Sequence, residues 1–247
     1  MNTVEFGKEN RQVIILLHGG GLSWWNYREV SSLLSARYHV VIPLLDGHAG
    51  SGCAFTSIED AAEKLKKFIE VNYGGKVLAI GGLSLGGQIL TQLLSAAPDI
   101  CQYAVLESAL VIPMKLTGLL VGPMVSVSYG LMQRRWFAKL QFQQLHMHPD
   151  LFEEYYRDTC KISKKDLTAL LKSNSLYHLK HSLADTSAKV LIVAGAKEMP
   201  IMRRSADRLH QALPDSQLHI LPGLQHGELS MKHPADYVKL LKSVMEE

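Results

Sequence analysis

The 247-residue sequence has few cysteines and no long run of one charge. Its three cysteines include no CxxC pair, which excludes a disulfide framework and favours a reducing compartment. The formal net charge is only +3, so nucleic acid is not an expected partner. Residues 1–10 lack the basic-then-apolar pattern of a secretory signal. We therefore expect a cytoplasmic protein.

Long apolar runs are also lacking. The uncharged stretch at residues 116–132 falls short of a membrane span and is interrupted by three glycines and a proline. We expect it to line a pocket and predict no stable insertion into a membrane. Because 47% of the residues are hydrophobic and 20% are charged, the chain can bury a substantial core, and a disordered protein is excluded.

What the sequence does contain is an alternation of apolar, β-branched runs with amphipathic helical stretches. Continuous apolar strands separated by helices are typical of a mostly parallel sheet with helices on both faces, the α/β class. Ligand sites in such sheets lie at the carboxyl ends of the strands. The predicted strands are 12–17, 38–43, 76–81, 103–107, 189–194 and 217–221.

The alternation fails between residues 113 and 187, where no strand pattern occurs and four helices are predicted. This segment is too long for a loop, so we expect a helical cap inserted over the strand ends. The predicted organisation is a core in two parts, residues 1–112 and 188–247, with the cap at 113–187. The cap has ten basic residues against six acids, giving +4, and leaves −1 for the core.

A GxSxG sequence, Gly82-Leu83-Ser84-Leu85-Gly86, follows the third of these strands and begins a helix. In that setting the serine occupies a sharp turn that exposes its hydroxyl and leaves the next backbone N–H beside it. A phosphate-binding loop would need Gly-Lys-Ser/Thr, which is absent. Ser84 is therefore predicted to be a nucleophile, with the N–H of Leu85 as one oxyanion donor.

A second glycine-rich segment, His18-Gly19-Gly20-Gly21, follows the first predicted strand. Glycines let the backbone approach a substrate closely and direct an N–H at a developing oxyanion. The N–H of Gly20 is the preferred candidate for the other oxyanion donor. Gly21 is the less favoured candidate and is also predicted to contact the substrate. His18 is expected to hold the loop rather than to catalyse.

A serine hydroxyl needs a base to accept its proton, and the base needs a carboxylate to orient it. His226 lies between glycines after the last predicted strand, and Glu198 follows the strand before it. A catalytic triad is therefore predicted, with nucleophile, acid and base in the chain order Ser84, Glu198, His226. Glu107, at the end of the fourth predicted strand, is the alternative acid.

These motifs resemble those of the α/β-hydrolase superfamily, and the resemblance covers the whole chain except the cap. Residues 43–52, which include Asp46 and His48, resemble the Asp-x-x-Gly-His-Gly-x-Ser loop of that family. The resemblance implies structural roles for both residues. Two features depart from the family pattern. The family usually has aspartate where this chain has Glu198, and the hairpin that begins the family's sheet is reduced in this chain to residues 3–6.

The resemblance and the predicted triad together indicate a carboxylesterase-like serine hydrolase acting on a small-molecule ester. Trp24, Met114 and Met124 are candidate pocket residues, because flexible methionines suit an adaptable apolar pocket. They favour an apolar acyl group of short or medium length, although packing of cap against core explains them equally well. C–C bond hydrolase, lactonase, thioesterase and non-catalytic ligand receptor remain alternatives.

No cofactor is expected, because the proposed chemistry needs none. His146 and His148 are two residues apart, His178 and His181 are three apart, and no metal ion is expected at either pair. The sequence leaves the oligomeric state open.

Overall fold

The fold is built on one seven-stranded sheet, seen in a computed structural model that describes residues 1–145 and 147–246; His146 lies outside the described residues. The strand order is β1-β3-β2-β4-β5-β6-β7, with β1 antiparallel to β3 and every other neighbouring pair parallel. The strands are β1 Thr3–Phe6, β2 Val13–Leu17, β3 His39–Pro43, β4 Val77–Leu83, β5 Cys101–Glu107, β6 Lys189–Gly195 and β7 Ser216–Leu221.

Helices cover both faces of the sheet, and three short 3-10 turns accompany them. The turns are Trp24–Tyr27, Pro149–Leu151 and His181–Asp185. The helices are α1 Arg28–Leu34, α2 Ile58–Tyr73, α3 Leu85–Ala96, α4 Lys115–Met132, α5 Arg135–Gln144, α6 Phe152–Thr159, α7 Lys164–Leu176, α8 Pro200–Ala212, α9 Glu228–Lys232 and α10 Pro234–Glu246.

The core lies in two layers, one on each face of the sheet, because successive side chains of a strand point to opposite faces. Ile15 packs with the buried residues of α2 and α3, whereas the neighbouring Ile14 packs with those of α1 and α10. Both isoleucines are fully buried. This arrangement confirms the predicted α/β class and explains why the central strands are continuously apolar.

Two local predictions differ from the structure. The apolar residues of the stretch 23–36 predict one helix, but the stretch divides into a 3-10 turn and α1, which begins at Arg28. The five-residue helix α9, directly after His226, was not predicted, because so short a segment carries no helical period. The short strand at residues 3–6 is present as β1 and pairs with β3 at the sheet edge.

The segment between β5 and β6 forms the four helices α4 to α7, with α4 against α7 and α5 against α6. Hydrogen bonds join these inserted helices to the rest of the chain. The indole Nε1 of Trp25 donates to Asp158 of α6 at 2.9 Å, and Arg28 pairs with Glu154 at 2.7 Å. The Trp25 and Asp158 side chains are buried, so this contact fixes α6 beside the amino end of α1.

Among the residues that the structure describes, no single helix is long and apolar enough to cross a membrane. Only α4 and α5 together reach that length and composition, and the chain bends by 116° between them.

Candidate active site

Ser84 lies at the turn from β4 into α3, with φ 53° and ψ −110°. A non-glycine residue with positive φ is strained, and such strain persists only where the surrounding structure enforces it. The Ser84 N–H donates to the Glu107 carbonyl at 2.9 Å, which anchors the turn to the end of β5. The sharp turn places the side chain at the carboxyl edge of the sheet.

The glycines on either side of Ser84 are required by close approach of backbone. A Cβ on Gly82 would lie 2.5 Å from the Gly86 carbonyl oxygen, and a Cβ on Gly86 would overlap the Leu17 carbonyl of β2. Larger residues at either position would therefore push the strand, the turn and the helix apart. The GxSxG spacing follows from this contact.

His226 and Glu198 form a direct hydrogen bond of 2.8 Å, between Nδ1 of the imidazole and Oε2 of the carboxylate. An ionised carboxylate only accepts hydrogen bonds, so Nδ1 carries the proton and Nε2 is left as the acceptor. Glu198 follows β6 and His226 follows β7, and these two strands are parallel neighbours. The Glu198 carboxylate is buried, whereas His226 is partly exposed.

The Glu198 carboxylate has further donors on its other oxygen. Oε1 accepts from the Gly195 N–H at 2.7 Å and from the Ser108 hydroxyl at 2.8 Å. Burial by itself would raise the pKa of Glu198, but the hydrogen bonds from His226, Gly195 and Ser108 hold that pKa below its usual value. The carboxylate is thus kept ionised inside the protein.

Ser108 was not singled out in the sequence, because a serine after a strand carries no motif. It has φ 53°, and Ser84 is the other non-glycine residue with positive φ among the described residues. Its Oγ donates to Glu198 and accepts from the Gly227 N–H at 3.3 Å. Ser108 therefore connects the loop that carries the acid with the loop that carries His226.

Glu107, the alternative acid, has a different set of partners. Its Oε1 accepts from the Ser230 N–H at 3.2 Å, and Oε2 has no hydrogen-bond partner among the described residues. The side chain is fully buried, and burial raises the pKa of Glu107 to about 7. The structure thus brings Glu198, rather than Glu107, into contact with His226.

The glycine-rich loop after β2 is held by two buried histidines. The Nε2 of His18 accepts from the Leu45 N–H at 3.2 Å, and the Nε2 of His48 accepts from the Gly21 N–H at 2.9 Å. Burial lowers the pKa of both imidazoles, that of His18 to about 3. Because the Gly21 N–H is already used, the N–H of Gly20 is the better candidate for an oxyanion donor. It donates to no atom of the described residues.

Two pockets meet at Ser84 and Asn174. The larger, of about 570 Å³, is bounded by Gly20, Gly21, Leu85 and apolar residues of the inserted helices, Met124 among them. The smaller, of about 240 Å³, contains His226 and Glu198 and is bounded by apolar residues. The apolar residues of this smaller pocket are Leu110, Met114, Met199, Ile201 and Met202.

Asn174 of α7 stands at the junction of the two pockets, a position that only the folded chain reveals. Its Nδ2 donates to Oε1 of Gln88 at 2.7 Å, while Gln88 Nε2 donates to the Asn174 and Leu110 carbonyls. Gln88 lies one turn after Ser84 on α3 and is fully buried. The inserted helices are therefore tied to the helix that follows the candidate nucleophile.

Trp24, a candidate pocket residue from the sequence, borders neither pocket among the described residues. Its ring packs near Phe6 of β1, with the Arg28 guanidinium 5.0 Å from the ring centre, and it is absent from the described residues around both pockets. The 3-10 turn at Trp24 directs the ring toward the sheet edge, away from Ser84. Met114 and Met124 do line the pockets, one in each.

Comparison with known families gives one match that covers most of the chain. The model of a family described as the alpha/beta hydrolase family matches residues 14–240. Among curated proteins, the magnesium-chelatase 30 kDa subunit of Rhodobacter capsulatus is 34% identical over 101 residues. That alignment covers 38% of this chain and 34% of the relative, so the chain matches about a third of the relative's length.

Solved structures share the fold over nearly the whole chain at low identity. A thermophilic esterase from Thermogutta terrifontis superposes with a TM-score of 0.81 at 16% identity, covering 99% of this chain and 92% of that one. The enol-lactonase from Burkholderia xenovorans LB400 gives 0.82 at 13% identity, covering 100% and 96%. At these identities the likeness concerns the fold alone.

Proposed function

The chain belongs to the alpha/beta hydrolase family, and from this premise we propose that it is a serine hydrolase of carboxylic esters. The favoured acyl group is apolar and of short or medium length. The observation that carries the proposal is the hydrogen bond between His226 and buried Glu198 in a pocket that also contains Ser84. This is the arrangement that activates a serine hydroxyl.

The proposed reaction begins when Nε2 of His226 takes the proton of Ser84 as its oxygen attacks the ester carbonyl. Glu198 holds the imidazole in the required tautomer and stabilises its cationic form. His226 then gives the proton to the departing alcohol, and water resolves the acyl-enzyme by the same steps in reverse order. Each proton transfer uses the one imidazole nitrogen that Glu198 leaves free.

The oxyanion that forms during attack is assigned to two backbone donors. The N–H of Leu85 lies in the first turn of α3, where helical N–H groups have no partner within the helix, and the N–H of Gly20 lies in the loop after β2. Both residues border the larger pocket beside Ser84. Preorganised donors of this kind are worth about 3 to 4 kcal/mol each in the transition state.

The two pockets suggest how a substrate lies. The departing alcohol must be within reach of His226, which belongs to the smaller pocket, so the acyl group is left for the larger one. The larger pocket is within the size range of small-molecule sites, and its lining from the inserted helices is mainly apolar. We assign the inserted helices, residues 113–187, the role of a cap that forms this acyl pocket.

The proposal is tested with p-nitrophenyl esters whose acyl chains increase in length from acetate to laurate. Wild-type protein is expected to turn over the short and medium esters and to slow on the longest, while Ser84→Ala loses the turnover at every length. If wild-type protein binds esters with negligible turnover, the chain is a ligand receptor on this fold. Turnover that survives in Ser84→Ala would remove Ser84 as the nucleophile.

A further inference from the structure

Helix α4 has an apolar surface on both sides. Its inner side is buried through Gly118, Val121 and Val125. On its outer side, Leu119 and Val127 have exposed fractions of 75% and 82%. Exposed leucines at 116, 120 and 131 follow the same helical spacing. An uncovered apolar stripe of this length marks a contact site on a folded protein.

Helix α5, which follows the bend, carries exposed apolar side chains of its own. Trp136, with an exposed fraction of 60%, and Leu140 are four residues apart and therefore lie on the same outer side of the helix. We call the outer surface of both helices the α4–α5 face. Its members are Leu116, Leu119, Leu120, Val127, Leu131, Trp136 and Leu140.

The charged residues of α4 and α5 themselves are all basic. Residues 108–149 contain four basic residues and no aspartate or glutamate. Arg135 is engaged with Glu153 of α6. Within the part of the chain that the structure describes, Lys115, Arg134 and Lys139 form no ion pair, and all three are exposed. Three unpaired cations thus flank the exposed apolar side chains.

We propose that the α4–α5 face is a docking surface for a lipid bilayer that contains anionic lipids. Exposed leucines and valines partition into the boundary of the hydrocarbon, an exposed tryptophan is favoured at the interface, and nearby lysines and arginines are attracted to anionic headgroups. The helices then lie along the membrane surface. The bend of 116° between them suits a surface contact and opposes a continuous span.

Charge favours a bilayer over a second copy of the chain. A symmetric dimer pairs the same patch from both copies, so it would bring the basic residues of one α4–α5 face close to those of the other. With no acid in residues 108–149, that segment offers nothing to neutralise them. An anionic surface supplies the missing opposite charge.

The docking surface adjoins the larger pocket. Met124 of α4 is exposed and also borders that pocket beside Ser84, and Met132 and Gln141 border it from the ends of the same two helices. An apolar molecule held in the bilayer would therefore meet the pocket at the docked side. The docking itself does not depend on the reaction assigned to Ser84, so a binding assay tests it independently.

The test measures cosedimentation of the full chain with vesicles. Wild-type protein is expected to bind vesicles of equal parts phosphatidylcholine and phosphatidylglycerol, and to bind pure phosphatidylcholine vesicles more weakly. The double variant Leu119→Gln/Val127→Gln should bind at least about tenfold more weakly to both. Arg134→Gln/Lys139→Gln should lose about tenfold on the anionic vesicles and little on the neutral ones.

Matched controls come from α2, outside the α4–α5 face. Val71 is as exposed as Val127, and Lys67 is an exposed lysine, so Val71→Gln and Lys67→Gln should bind like wild type. A second measurement follows Trp136 by quenching with brominated lipid. Quenching is expected in the wild type and should fall sharply in Trp136→Phe, since Trp25 is buried and Trp24, beside Phe6 of β1, is not part of the α4–α5 face.

Three results would overturn the proposal. The first is a wild-type protein that fails to bind the anionic vesicles, and the second is an equal loss of binding in the α2 controls. The third is a dimer in solution, seen by light scattering, that the Leu119→Gln/Val127→Gln variant converts to a monomer without affecting vesicle binding. That last result would assign the face to a second copy of the chain.

Discussion

Glu107 at the end of β5 and Glu198 after the neighbouring β6 are both buried carboxyl groups, and of the two only Glu198 contacts His226. Glu198→Gln keeps the shape of the side chain but removes the charge that orients and stabilises the imidazolium. We expect kcat/KM for a p-nitrophenyl ester to fall about 10³- to 10⁴-fold in this variant. Glu107→Gln should lose less than about tenfold, because its partner is a backbone N–H.

The comparison needs both variants folded, which circular dichroism establishes. A larger loss in Glu107→Gln than in Glu198→Gln would transfer the role of triad acid to Glu107. Equal and small losses would argue that neither carboxylate supports catalysis.

Glu107 also predicts a pH dependence of stability. Its pKa is raised by burial from 4.5 to about 7, so between these values the carboxyl is protonated in the folded chain and ionised in the unfolded one. Unfolding then releases a proton, and this contribution to stability is present below about pH 4.5 and lost as the pH rises through about 7. The loss amounts to about 3 kcal/mol.

Urea unfolding of wild type and Glu107→Gln at about pH 5 and about pH 8 measures this contribution. Relative to the variant, wild-type protein should lose stability between the two pH values. A difference between the two proteins that does not change with pH would show that Glu107 is ionised inside the fold.

Ser108 is predicted to be a positioning residue for the acid. Ser108→Ala removes a donor to Glu198 and an acceptor for the Gly227 N–H, and we expect kcat/KM to fall about 10- to 100-fold. Loss of the donor should raise the pKa of Glu198 and thereby change the pH profile of kcat/KM. Ser108→Gly should relieve the backbone strain and yet show the same kinetic change.

A merely structural serine would give another pattern. In that case Ser108→Gly would match the wild type in activity, and both variants would keep the wild-type pH profile. The paired substitutions therefore distinguish a role in strain from a role in holding Glu198.

At this scale the sequence predicts candidates but not their partners. Ser84, Glu198 and His226 could be proposed because each follows a predicted strand in a recognisable order, and Ser84 also lies in a glycine-defined turn. Ser108 and Asn174 could not, because their contacts depend on which strands are neighbours and on how α7 docks onto α3. The catalytic roles of Ser84, Glu198 and His226 stay predictions.

At the scale of elements, the two pockets should be separable by substitution. Met124 borders the larger pocket and Met199 the smaller, and both side chains are exposed enough to accept a larger residue. Met124→Trp should lower kcat/KM about tenfold or more for long acyl chains and leave acetate esters unchanged. Met199→Trp should instead discriminate against bulky alcohols in a series of butyrate esters.

Each variant serves as the control for the other. Met124→Trp is measured on the alcohol series and Met199→Trp on the acyl series, where little change is expected. An exchange of the two effects would reverse the assignment of acyl group and alcohol to the pockets.

The central strands were predictable because they are largely apolar runs, which a sheet covered on both faces requires. The long helices were predictable from their period and from signals such as Ser57, whose side chain accepts from the Asp60 N–H and begins α2. The irregular segments were not predictable. The sequence of the 3-10 turn at Trp24–Tyr27 has the pattern of a regular helix, and α9 is too short to show the helical period of apolar residues. Element boundaries elsewhere differ by one or two residues, as fraying ends allow.

For the whole molecule, the sheet topology explains why distant segments meet. β2, β4, β6 and β7 are parallel, so the loops that carry Gly20, Ser84, Glu198 and His226 all leave the sheet at one edge. The sequence predicts parallel strands but not their order, since the order depends on which helix covers which face. The four inserted helices then add a basic, apolar layer to a core whose own charge is close to zero.

The central claim is that His226 and Glu198 activate Ser84, and labelling by a serine-directed phosphonate tests it most directly. Wild-type protein should gain one phosphonyl group on the peptide that contains Ser84, as mass spectrometry would show. Labelling should disappear in Ser84→Ala and become at least about 100-fold slower in His226→Gln. A wild-type protein that stays unlabelled, or that labels at another residue, would contradict the account.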